Sequence, residues 1–189
     1  MKIDYKNVYY PPGGILLWII IIIELLTFGI ALISMVYLGK QEPTLFHDSR
    51  LHLNATFGTI NTVFLLTSGF FMANSVHEFK LNNIPKAKKY LLITMLFGVL
   101  FLILKSIEYY SKIEAGISLD TNTFFTFYWM LTLFHFSHVI IGLIILAIMY
   151  FGMRKENNTQ VEDLEASAAF WHMCDLIWLL LFPVIYLIF

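Results

Sequence analysis

The chain has 189 residues, 59% of them hydrophobic and only 13% charged, with a formal net charge of -1 and a mean hydropathy of +0.74. Soluble domains carry about 25% charged residues, so this composition excludes an ordinary soluble globule, and the near-neutral charge gives no electrostatic basis for nucleic-acid binding. The class that remains is all-α: a polytopic membrane helical bundle with five transmembrane helices, read as a single membrane domain over residues 1–189.

The polar, proline-bearing head "MKIDYKNVYYPPGG" precedes the first apolar run, which is too long for a signal-peptide core, so no cleavable signal is expected. A span takes about 20 helical residues. The first is read over residues 15–38, "ILLWIIIIIELLTFGIALISMVYL", with Glu24 inside it. The second covers 55–79 and is followed by the basic connector "NIPKAKK". The third covers 88–110 and carries Lys105 and Glu108 at i, i+3, spaced to pair near its outer end. The fourth, 123–151, contains "FHFSHVIIG" with His135, His138 and Gly142 on one stripe. The fifth, 166–188, carries His172 and Asp175, with Glu165 just ahead of it.

Lysine and arginine set the orientation. Lys2, Lys6, Lys80, Lys86, Lys88, Lys89, Arg154 and Lys155 fall on one side, and Lys40, Arg50, Lys105 and Lys112 on the other. The expectation is an inner (plasma) membrane protein with its N-terminus cytoplasmic and its C-terminus outside. The many aromatics read as lipid-facing and interfacial packing. The one cysteine, Cys174, has no partner for an internal disulfide, and no phosphate loop, nucleophile elbow or zinc-protease motif is present.

Ionisable groups at membrane depth are rare and face the bundle interior or a pathway. At about 1.5 Å per residue, Glu24, His138, His172 and Asp175 fall in one band of the cytoplasmic half and are expected to converge. Three chemistries compete for them. Metal or haem ligation needs histidines on facing helices, whereas His135 and His138 point the same way from one helix. A proton or ion path would string the acids and histidines through the membrane, making the chain a free-standing conductor. A hydrogen-bonded cluster between helices would make them packing groups.

Several stretches together resemble cytochrome c oxidase subunit III. "FFTFYWMLTLFHFSHVIIG" (Phe124–Gly142) resembles the family's "FHxxHVxxG" helix, and "EASAAFWHMCDLIWLLLFPVIY" (Glu165–Tyr186) its last helix, through Glu165, Trp171, His172, Asp175, Trp178 and Tyr186. "IELLTFG" (Ile23–Gly29), "INTVFLLTSG" (Ile60–Gly69) and "IEYY" (Ile107–Tyr110) resemble its "SEVLFF", "LNTxxLLxSG" and "SEYY" segments. Thr56 stands where the family has a membrane glutamate and Lys105 where it has a glutamine, and five spans stand for seven. Lys105 and "TNTFFTFYW" are more similar to the branch associated with nitric oxide reductase. The resemblance implies a non-catalytic subunit of a haem–copper oxidase or nitric oxide reductase in respiratory electron transport. It implies haem and copper in the catalytic partner and no cofactor in this chain. It also implies phospholipid in a cleft and support of complex stability and proton uptake, with the histidines as packing and hydrogen-bonding groups.

Overall fold

A computed structural model describes residues 13–153 and 160–189; Lys2, Lys6, Arg154 and Lys155, all counted in the orientation, lie outside them. Among the described residues there are six helices and no strand: α1 Gly14–Gln41, α2 Pro43–Leu51, α3 Ala55–Lys80, α4 Ile84–Glu114, α5 Thr123–Gly152 and α6 Val161–Tyr186. Five are long and apolar enough to cross a membrane.

The sixth, α2, corrects the expectation of a plain connector. Its nine residues, "PTLFHDSRL", are too polar and too few to register as a span. Pro43 sits in its first turn, where a missing N–H is harmless. Phe46 and Ser49 turn inward, and Phe46 packs edge-on to Phe124 of α5 at 5.5 Å between ring centroids. The helix thus lies across the ends of α1 and α5.

Two ends also differ from the sequence reading. α4 starts at Ile84 instead of 88 and runs to Glu114, because Pro85 opens the helix and the lysines ride on its outer turns. α6 begins at Val161 because Gln160 and Asp163 form a reciprocal capping box ahead of the apolar run. Elsewhere Asn54 and Asn122 cap α3 and α5 through their side-chain oxygens. Asn82, at φ 57°, makes the turn between α3 and α4.

α6 is the hub. It packs against α1, α3 and α5, while α4 packs against α3 and α5. The largest fully buried side chains include Trp171, Trp178, Tyr128, Tyr186, Phe101 and Phe124. These aromatics fill the interior, whereas Trp18, Tyr37, Phe70, Tyr110 and Phe151 are exposed, as the lipid-facing reading expects. Helices in lipid gain nothing from burying apolar surface against each other, so close packing and interhelical hydrogen bonds must hold them. Trp171 shows both devices. Its ring fills the space above Gly98 of α4 and Gly142 of α5, where an added Cβ would lie 2.7 and 2.8 Å from it, and its Nε1 donates to Ser68 Oγ of α3 at 3.0 Å. Ser68 in turn donates to the Thr94 carbonyl at 2.9 Å, and Ser75, two turns along α3, donates to the Ala87 carbonyl two turns back along α4.

Candidate functional site

The densest polar site lies between α4, α5 and α6. Lys105 is 0% exposed and Glu108 2%. Lys105 Nζ donates to Glu108 Oε2 at 3.0 Å, to Tyr186 Oη at 2.7 Å and to Tyr128 Oη at 3.3 Å. Both tyrosine hydroxyls donate to Glu108 Oε1, at 2.9 Å from Tyr128 and 2.7 Å from Tyr186. All three ammonium protons and both carboxylate oxygens are thereby used. The Trp178 ring, 5.4 Å from Nζ, adds a cation–π contact. The i, i+3 pairing was legible in the sequence, but its location was not: the pair is enclosed inside the bundle, away from the outer surface.

Around this cluster the chain is tied to α2. Arg50 Nε donates to the Tyr186 carbonyl at 3.0 Å, Lys112 Nζ to the His52 carbonyl, and Asn122 Nδ2 to Ser49 Oγ at 2.8 Å. Lys112, counted as a connector charge, is therefore buried against backbone.

The four groups expected to converge form two pairs. In one, His138 Nε2 lies 3.4 Å from Glu24 Oε2, joining α5 to α1. His138 Nδ1 sits 2.8 Å from the Phe134 carbonyl, which can only accept, so Nδ1 carries a hydrogen. Glu24 Oε2 makes no hydrogen bond among the described residues, so the two side chains meet as a close polar contact. In the other pair, His172 Nδ1 lies 3.4 Å from Asp175 Oδ2, both on α6. Asp175 is pressed against α3 at Gly69, where a Cβ would overlap its carboxylate. His172 is the correction here: its side chain is 44% exposed, so it faces out of the bundle, not inward. The i, i+3 spacing to Asp175 placed the two side by side along α6, but Asp175 packs against Gly69 of α3 and is buried while its neighbour stays open.

His135 is fully buried and makes no polar contact with His138. Its ring stacks on Trp178 at 5.4 Å and meets Phe101 edge-on, with both ring nitrogens unpartnered among the described residues. Glu165 pairs with Lys80 at 2.5 Å, fastening the start of α6 to the end of α3. Among the described residues no three His, Cys, Asp or Glu side chains are grouped to hold a metal ion.

Sequence reasoning missed Tyr128 as a site residue. A signal was available: Tyr128, Thr132, His135, Val139 and Gly142 form one buried stripe of α5. It also missed Asn61, buried with both side-chain polar atoms unpartnered among the described residues, and the Ser68–Thr94 exchange. Chemically, the Lys105 and Ser68 clusters join helices by matched donors and acceptors, while His135 and Asn61 keep unpaired polar atoms among the described residues.

The family model described as Cytochrome c oxidase subunit III matches residues 14–188. The chain is 34% identical over 129 residues to "Cytochrome c oxidase subunit 3" of Rhipicephalus sanguineus, covering 67% of this chain and 49% of that protein. It is 36% identical over 129 residues to the protein of the same name from Mycosarcoma maydis, covering 67% and 46%. With that of Corynebacterium diphtheriae it shares 24% identity over 139 residues, covering 72% and 68%. The chain thus spans about half the length of the first two relatives. A match reaching from the first span to the end of the last makes the chain a member of the cytochrome c oxidase subunit III family.

Proposed function

We propose that this chain is a non-catalytic membrane subunit that docks on the haem–copper catalytic subunit of a respiratory complex, a terminal oxidase or a nitric oxide reductase. The observation that carries this reading is the use of its polar interior. Lys105, Glu108, Tyr128 and Tyr186 satisfy one another completely, and Ser68, Thr94 and Trp171 bond helix to helix. Groups consumed in this way build a scaffold. Haem and copper belong, on this reading, to the partner, and this chain carries neither. Phospholipid occupies the grooves between its exposed apolar helices, and the subunit supports complex stability and proton uptake. Lys105, at the position where the family has glutamine, and "TNTFFTFYW" favour the branch associated with nitric oxide reductase. The chain resides in the inner (plasma) membrane, with Lys80, Lys86, Lys88 and Lys89 at the α3–α4 corner on the cytoplasmic side.

The test is purification of the tagged chain from its native membranes. A haem-containing partner with a Soret band should come with it, and consumption of oxygen or nitric oxide by that complex identifies the branch. A chain that emerges without a haem protein, or that keeps a Soret band after being stripped of partners, would overturn the reading.

A further inference from the structure

We infer that the strip of α6 left open between α1 and α3, centred on His172, is the seat of a transmembrane helix from the partner subunit, with a hydrogen-bonding group of that helix opposite the imidazole. This rests on the subunit reading above. α1 and α3 each pack on α6 but make no comparable contact with one another. Between them α6 presents His172, Leu176 and Leu179, at i, i+4 and i+7, all exposed.

His172 lies 11 residues from the start of α6 and 14 from its end, or roughly 16 and 21 Å along the axis. That places it near the middle of a hydrocarbon core about 30 Å thick. Lipid tails offer an imidazole no hydrogen bond, and headgroups lie too far away. Its Nδ1 faces Asp175 Oδ2, whereas Nε2 has no partner among the described residues. Intramembrane polar side chains are retained where protein or water covers them. The exposed face of α4, along Leu92, Leu96, Val99 and Ile103, is by contrast wholly apolar, as a lipid-facing surface should be. A second copy related by a two-fold axis through this strip sets two imidazoles in the same tautomer against each other, donor to donor or acceptor to acceptor, which makes it the weaker occupant.

The experiment places a photo-crosslinking amino acid at Leu176, or at Ile103 as control, in the full chain in its native membranes. The Leu176 probe should join the chain to the haem-containing subunit and the Ile103 probe should not. His172→Leu should cut the haem partner retained on the tagged chain about fivefold or more, from the loss of one buried hydrogen bond, while His172→Gln keeps it within about twofold. His172→Leu also takes from Asp175 the partner at Nδ1, so Asp175→Asn serves as the control: it breaks that pair but leaves Nε2 in place and should keep the haem partner within about twofold, whereas a loss equal to that of His172→Leu would overturn the inference. Adducts from Ile103 alone, adducts to lipid or to a second copy, or full retention by His172→Leu would each overturn the inference. Absence of a haem partner from the unmodified chain sinks the subunit reading instead; an adduct from Leu176 to a different, haem-free membrane polypeptide would keep the seat and discard only that reading.

Discussion

At Lys105 an ammonium group is enclosed with three acceptors and no water-facing side. Burying such a pair is expensive, and it persists because every donor and acceptor is matched; removing one partner leaves a bare charge, at about 3–5 kcal/mol. Lys105→Met should therefore lower stability by about that amount, read from thermal unfolding in detergent, because Glu108 and two tyrosines lose their common partner. Lys105→Met combined with Glu108→Gln should recover more than half of the loss, since a neutral amide still accepts from the tyrosine hydroxyls. Equal loss in the single and double variants would mean that the pair contributes shape and not charge balance. The i, i+3 spacing made the pair readable in the sequence. Its enclosure was not, because Tyr128 and Tyr186 come from 20 and 78 residues beyond Glu108 and only packing brings them in.

Among the elements, α2 and α6 show how far local signals reach. The spans were legible because long apolar runs have one solution in lipid, a helix with its backbone bonded internally. α2 has no such compulsion. Its helical form depends on Phe46 finding Phe124 and Phe189, and on Arg50 and Lys112 bonding across to other segments. Phe46→Ala should detach it at about 3–5 kcal/mol, the usual range for emptying a buried aromatic site. Trypsin should then cut at Arg50 much faster in detergent-solubilised protein, while circular dichroism loses no more than this short helix. Unchanged cleavage would show that α2 is held by its polar ties alone. For α6 the apolar run was evident, but its central place was not: an all-round hydrophobic helix is equally consistent with a lipid-exposed and a buried position.

For the whole molecule, orientation is the testable quantity. Lys86, at the start of α4, and Asp120, beyond its other end, fall at opposite ends of one span. Cysteines at Lys86 and Asp120 in a Cys174→Ala background should react with an impermeant maleimide from opposite sides, Asp120→Cys from outside intact cells and Lys86→Cys only after permeabilisation. Labelling of both from outside would refute the topology. Lys112 is unsuitable for this purpose, being tied to the His52 carbonyl.

Five spans, the polar inventory within them and the family were determined by sequence alone, because hydropathy over about 20 residues and ordered motifs are local or collinear properties. Which polar groups meet was decided by the tertiary structure. Glu24 and His138 share a contact across α1 and α5, His135 is enclosed by Trp178 and Phe101, and His172 turns outward although it sits three residues from a buried aspartate. Helical periodicity assigns each side chain to a stripe but leaves free the rotation of the helix against its neighbours. That rotation is set where Gly69, Gly98 and Gly142 let Asp175 and Trp171 approach the facing helices, a complementarity of shape that no single helix contains.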